Sequence, residues 1–108
     1  MRAEKNIKNE DRCALQEILD VIGGKWSMSI IYALFTGKKR FSELERMVPG
    51  INTRMLVKEL KNMEANGIVI RKVFATVPPT VEYTLTTKGE RLKPSIDELY
   101  KWGLEYVS

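Results

Sequence analysis

The chain has no histidine and only one cysteine, Cys13, among its 108 residues. Zinc sites built on His and Cys, Ser-His-Asp triads and Cys-His dyads are therefore excluded within one chain, as is an intramolecular disulfide. A lone thiol fits a reducing compartment. No Gly-rich phosphate loop is present either: Gly23-Gly24-Lys25 and Gly37-Lys38 both lack the upstream glycine of a phosphate-cradling loop. Long apolar runs are missing too. The longest nearly uninterrupted one, Ile30 to Phe35, falls far short of the ~20 residues of a membrane span. The charged start, Met1 to Arg12, has no hydrophobic signal core behind it. These absences leave no catalytic constellation, metal site or cofactor loop, and the expectation is a non-enzymatic cytoplasmic protein with no membrane partner.

What is present is a globular composition, with 44% hydrophobic and 30% charged residues. It suffices for one modest core, so residues 1–108 are expected to form a single domain, with 1–10 as an N-terminal arm. The net charge of +4 is unevenly placed: Lys38 to Lys72 holds nine basic and four acidic residues, and the remainder is close to neutral. Such a segment is either a solvated surface or an electrostatic footprint for a polyanion, depending on whether its charges converge.

Hydrophobic periodicity predicts a first helix over about Asp11 to Ile22, with Leu15, Ile18, Leu19 and Ile22 on one stripe and Gly23-Gly24 as a stop. A second helix, Lys25 to Thr36, is apolar on two sides and should be central. Ser42-Glu43-Leu44-Glu45 has capping-box spacing and opens a short third helix that Pro49-Gly50 ends. Asn52 or Thr53 can cap a fourth helix reaching about Asn66, where Gly67 suits the left-handed position beyond a helix end. From Ile68 the pattern becomes that of strands. Two of them, separated by Pro78-Pro79, form a hairpin, and Glu82 is placed to pair with Arg71 or Lys72 across it. Thr87-Lys88-Gly89-Glu90 then opens a last helix, 87–108, with Pro94 either kinking it or delaying its regular part. The expected fold is α+β, mainly α: a helix-turn-helix followed by a two-stranded wing, with terminal dimerisation helices.

On a wheel of the fourth helix, Leu56, Leu60 and Met63 share one arc, while Arg54, Lys58, Lys61 and Asn62 lie opposite. One arc is core; the other is basic, suited to phosphates and, through Thr53, Arg54 or Asn62, to base edges. Arg71 and Lys72 on the hairpin and the run Lys38, Lys39, Arg40 would line the same surface, with Lys25 touching a phosphate. The partner that fits is double-stranded DNA. The rival reading is a winged-helix module whose basic face meets an acidic protein.

Cys13, Ile22-Gly23-Gly24-Lys25-Trp26, Arg40-Phe41-Ser42-Glu43-Leu44, Pro49-Gly50-Ile51, Leu56 with Leu60 and Glu64, Asn66-Gly67-Ile68-Val69, Val77-Pro78-Pro79 and Val81-Glu82-Tyr83-Thr84-Leu85-Thr86 with Gly89 follow in order. In that order and spacing, from Cys13 to about Gly103, the chain resembles the HxlR-type winged-helix transcriptional regulators, a branch close to the MarR-like repressors. The resemblance implies a homodimeric DNA-binding regulator whose fourth helix is the recognition helix and whose terminal helices form the dimer interface. Asn52-Thr53 departs from it, since many relatives have Ser at that helix start.

The last helix argues for a dimer independently. Leu92, Ile96, Leu99, Gly103 and Tyr106 form a stripe flanked by Tyr100 and Trp102, more apolar and aromatic surface than one small core absorbs. Two-fold symmetry would set two recognition helices ~34 Å apart on a roughly palindromic site. Trp26, Tyr32 and Phe41 are expected to pack the core, and a pocket between the dimer helices and the winged domain offers room for a small aromatic effector. Cys13 has three readings: a sensor of oxidants or electrophiles, as the resemblance implies for some relatives, a structural cysteine at the dimer interface, or an inert surface thiol.

Overall fold

The structure is a computed structural model that describes residues 9–107, with side chains from Ala14 onward. Residues 1–8 of the expected arm and the Cys13 thiol lie outside the described residues; Asn9 and Glu10 already belong to the first helix. The elements are α1 (Asn9–Ile22), α2 (Ser27–Leu34), β1 (Lys39–Arg40), α3 (Phe41–Met47), α4 (Thr53–Ala65), β2 (Val69–Phe74), β3 (Thr80–Leu85), α5 (Thr87–Glu90) and α6 (Lys93–Tyr106).

The core forms around α2. Ile30 and Ile31 are fully buried, with Ala33 and Leu34 beside them, because this helix is apolar on both sides and meets partners on both. Leu44 of α3, Leu56, Leu60 and Met63 of α4, and Val69, Tyr83 and Leu85 of the sheet close around it. Trp26 and Phe41 pack against this cluster as expected, but Tyr32 does not: it is exposed and stacks on Tyr100, ring centroids 5.8 Å apart.

Helix α4 ends in a Schellman motif. The Ile68 N–H reaches the Met63 carbonyl at 2.8 Å and the Gly67 N–H reaches Glu64 at 3.1 Å. This geometry requires the left-handed φ of +73° that Gly67 adopts. Lys88 Nζ satisfies another terminal carbonyl, that of Asn66, at 2.7 Å.

Several local expectations are corrected by long-range packing. The wing sheet has three antiparallel strands, in the order β1-β3-β2, instead of two. Lys39 and Arg40 pair with Tyr83 and Glu82 on the free edge of β3, and a two-residue strand is too short to show an alternating pattern in sequence. That pairing draws the start of α3 forward. Helix α3 begins at Phe41, and Glu43 rather than Glu45 reaches back, accepting from the Arg40 N–H at 2.7 Å. The second cap is also one residue early, with Thr86 Oγ1 accepting from the Gly89 N–H at 3.0 Å. The last helix is split into α5 and α6, and Pro94 sits in the first turn of α6, where its missing N–H costs nothing. Glu82 faces Lys72 in register, yet its ion pair is with Lys38, Nζ–Oε1 3.8 Å.

The radius of gyration is 15.9 Å, against about 13 Å for a compact chain of this length. Among the described residues, the apolar stripes of the two terminal helices are left partly uncovered. Leu15 on α1 is 57% exposed, and Leu99 and Trp102 on α6 are 50% and 55% exposed.

Candidate nucleic-acid interface

Helices α3 and α4 are joined by a tight turn. Gly50, at φ +89°, turns the chain, Ile51 packs against the core, and Asn52 caps α4 by accepting from the Met55 N–H at 2.8 Å. Glu45 of α3 accepts from the Thr53 hydroxyl at 2.6 Å, tying the first residue of α4 to α3. A second tie comes from below: Ser27, buried at the start of α2, donates to Glu59 of α4 at 3.0 Å. Because this bond ends on a carboxylate, Ser27→Ala should lower stability by about 1–3 kcal/mol in urea denaturation, whereas Glu59→Gln, which keeps an acceptor, should cost less. A Glu59→Gln loss near zero would show that charge contributes nothing to the tie, and equal losses that the tie depends on the charge.

Held from both sides, α4 presents two unlike faces. Leu56, Leu60 and Met63 are buried, while Arg54, Lys58, Lys61 and Asn62 are all exposed. Among the described residues none of these three cations is engaged in an ion pair. Thr53 is exposed, with its hydroxyl proton directed to Glu45.

The wing divides its two basic residues. Strand alternation places Arg71 on the inner face, where it shares a cleft with Lys61 and Glu64 of α4 and with Tyr83. Lys72 lies on the outer face with Ile70, Glu82 and Thr84. The remaining candidates are more dispersed. Lys38 and Lys39 approach from β1, on the other side of β3 from Arg71, and Glu82 neutralises part of that charge. Lys39 Nζ turns back to the Gly37 carbonyl at 3.4 Å, and Arg40 is exposed as the N-cap of α3. Lys25 lies over the Trp26 ring, 4.9 Å from its centroid. Thus the structure brings Arg71 together with Lys61 of the α4 face, and leaves Lys72, Lys38 to Arg40 and Lys25 on other elements.

A basic, uncompensated helix face after a tight turn, flanked by a sheet hairpin, is the geometry of a winged helix-turn-helix. An HxlR-like helix-turn-helix family model matches residues 21–108. The chain belongs to the HxlR-like helix-turn-helix family of transcriptional regulators. Its relatives include the uncharacterized HTH-type transcriptional regulator YybR of Bacillus subtilis, 46% identical over 95% of this chain and 83% of that protein. Another, from Methanothermobacter thermautotrophicus, is 42% identical over 93% and 76% of the two chains. Among solved structures, the redox regulator HypR in its oxidized form superposes with a TM-score of 0.83 at 45% identity, covering 89% of this chain and 99% of that one. The reduced form of the regulator YodB from B. subtilis gives 0.76 at 32%, covering 100% and 97%.

The expected dimer residues of this HxlR-like regulator fall into two groups. Leu92 and Ile96 turn inward: Ile96 is 7% exposed and Leu92 packs against the core. Leu99, Tyr100, Trp102 and Tyr106 are exposed, with Trp102 and Tyr106 in ring contact at 5.6 Å, and Gly103 is half-buried with open space where a Cβ would stand. Leu104, beside this expected set, and Leu15, Ile18 and Leu19 on the stripe of α1 are exposed as well. Their spacing marks an apolar stripe; what covers the stripe is not a local property. Between α2, the end of α3 and α6 lies an apolar groove of about 440 Å³, lined in part by Met28, Tyr32, Met47, Leu99 and Tyr100. No helix among the described residues is long and apolar enough to cross a membrane.

Proposed function

We propose that the protein is a homodimeric, sequence-specific DNA-binding regulator of the cytoplasm, without enzymatic activity. Helix α4 enters the major groove, and the wing tracks the flanking backbone. The observation that carries this reading is the unpaired cationic face of α4 facing away from its core residues, with Arg71 of the wing in the same cleft as Lys61. Arg54 and Asn62 are assigned to base edges, with Thr53 beside them. Lys58, Lys61, Arg71 and Lys72 are assigned to phosphates, and Lys25 and Lys38 to Arg40 to the outer backbone. The dimer is supported by the exposed apolar sides of α1 and α6, with Leu99, Tyr100, Trp102, Gly103 and Tyr106 at its centre.

Selection of duplexes from a random pool at physiological salt tests the reading. A palindromic motif with half-sites one turn apart, preferred over unrelated DNA by ~10³ or more, is the expected result. No enrichment would favour the winged-helix interaction module instead. On the selected site, Arg54→Ala should weaken binding by about 1–3 kcal/mol and relax one base preference. Lys72→Ala should weaken all DNA alike and lower the salt slope by about one. Unchanged affinity in both variants would put the DNA elsewhere on the molecule.

Two inputs are proposed for regulation. HypR is known in oxidized and reduced forms, and YodB in reduced and diamide-treated forms. Their similarity supports oxidant or electrophile sensing through Cys13, and carrying out the selection on reduced and on diamide-treated protein reads this directly. The 440 Å³ groove against α6 has the size and lining for a small aromatic effector.

A further inference from the structure

The side of α4 next to its core residues is mixed in character. Val57, Lys61 and Glu64 recur at i, i+4 and i+7 and so share one stripe, and Val57 stays 37% exposed between charged neighbours. Opposite lies the inner face of the sheet, where Arg71 pairs with Tyr83 across β2 and β3 and Val81 stands two residues before Tyr83. Together with Phe41 at the start of α3, these side chains line a cleft of about 460 Å³. Small-molecule sites have that size.

The lining selects an anion with an apolar body. Lys61 and Arg71 bring two positive charges and Glu64 one negative, a balance of +1, and among the described residues no ion pair engages any of the three. Tyr83 adds a donor. It is only 7% exposed, its hydroxyl has no hydrogen-bond partner among the described residues, and no fully buried polar side-chain atom there lacks one, so the hydroxyl opens into the cleft. Phe41, Val57 and Val81 form the apolar wall. A DNA phosphate would use the cations and leave that wall idle, whereas a monocarboxylate on a small hydrocarbon body uses both. Its two oxygens fit the Arg71 guanidinium side by side and can accept from the Tyr83 hydroxyl.

We propose that this cleft binds a small apolar monocarboxylate, which releases DNA by taking Lys61 and Arg71 from the phosphates. The site stands on the cleft itself; the release rests on the DNA-binding reading. Two ligands that need the same cations weaken each other by the same factor. The groove between α2 and α6 is a different place, and its lining carries no charge.

The experiment titrates the free full-length chain calorimetrically with benzoate and with hexanoate, an aromatic and an aliphatic form of the same chemistry. Benzamide, hexanamide and inorganic phosphate are the controls. At least one carboxylate is expected to bind with Kd ~0.1–1 mM, with its amide and phosphate ~10-fold weaker or more, and to shift the methyl NMR signals of Val57 and Val81. Tyr83→Phe keeps the buried ring and should weaken the carboxylate ~10-fold at unchanged duplex affinity. On the selected duplex, carboxylate at ~10 times its own Kd should raise the DNA Kd ~10-fold or more.

The site is overturned if neither carboxylate binds, if amide or phosphate binds as well as the acid, if the Val57 and Val81 methyls do not move, or if Tyr83→Phe binds like the wild type. Should that variant melt early, the wild-type methyl shifts decide. Carboxylate binding that leaves duplex affinity unchanged overturns the release. A protein that binds no duplex overturns the DNA-binding reading, and calorimetry on the free chain still judges the site.

Discussion

Joint replacement of Leu99 and Trp102 by glutamate is expected to halve the solution mass from twice 12.4 kDa to the monomer value and to abolish tight operator binding. Both side chains are at least half exposed, so the substitutions leave the core around α2 intact. Four carboxylates brought together at a two-fold interface repel one another and would be stripped of water at a cost their surroundings do not repay. The loss on DNA follows from the arithmetic of two linked reading heads. Each half-site binds weakly alone, and the second binding event in a dimer is intramolecular, so separating the protomers should cost roughly 10²-fold or more in affinity. Analytical ultracentrifugation and anisotropy on a palindromic duplex read the two effects separately. A dimer that persists would move the interface to another face, and a monomer with undiminished affinity would remove the need for symmetry.

The second large effect concerns the opposite face of α4. Leu56→Ala deletes a fully buried side chain that α4 contributes to the core cluster. It should cost about 2–5 kcal/mol, the range for a leucine cavity that relaxes incompletely. A domain of this size has only about 5–15 kcal/mol in all, so the melting temperature should fall by about 10 °C or more. The cationic side chains of α4 remain in place, and below the lowered transition the variant should retain its base preferences with little loss of affinity. A loss of preference without a loss of stability would mean that the core and DNA faces of this helix are not separable.

That separability could be read in the sequence, because it rests on the helical repeat alone. Leu56, Leu60 and Met63 recur at helical spacing while Arg54, Lys58 and Lys61 fall between them, and Asn52 and Gly67 carry the conformational preferences that start and stop the helix. The central position of α2 and the order of helices and hairpin follow from equally local signals, whereas the two outcomes open at Pro94 were decided by the split into α5 and α6.

The tertiary structure alone decided the features that depend on which distant groups meet. The third strand exists because the open edge of β3 offers partners to Lys39 and Arg40, and nothing within two residues announces it. That pairing moved the α3 cap from Glu45 to Glu43 and left Glu45 to hold Thr53. Glu82 turned to Lys38 instead of its cross-strand neighbour. Most consequential is the exposure of α1 and of α6 beyond Ile96. Periodicity states that a helix has an apolar side, but burial is a property of two surfaces, and only the packed chain shows that Ile96 is covered from within while Leu15, Leu99 and Trp102 stay exposed.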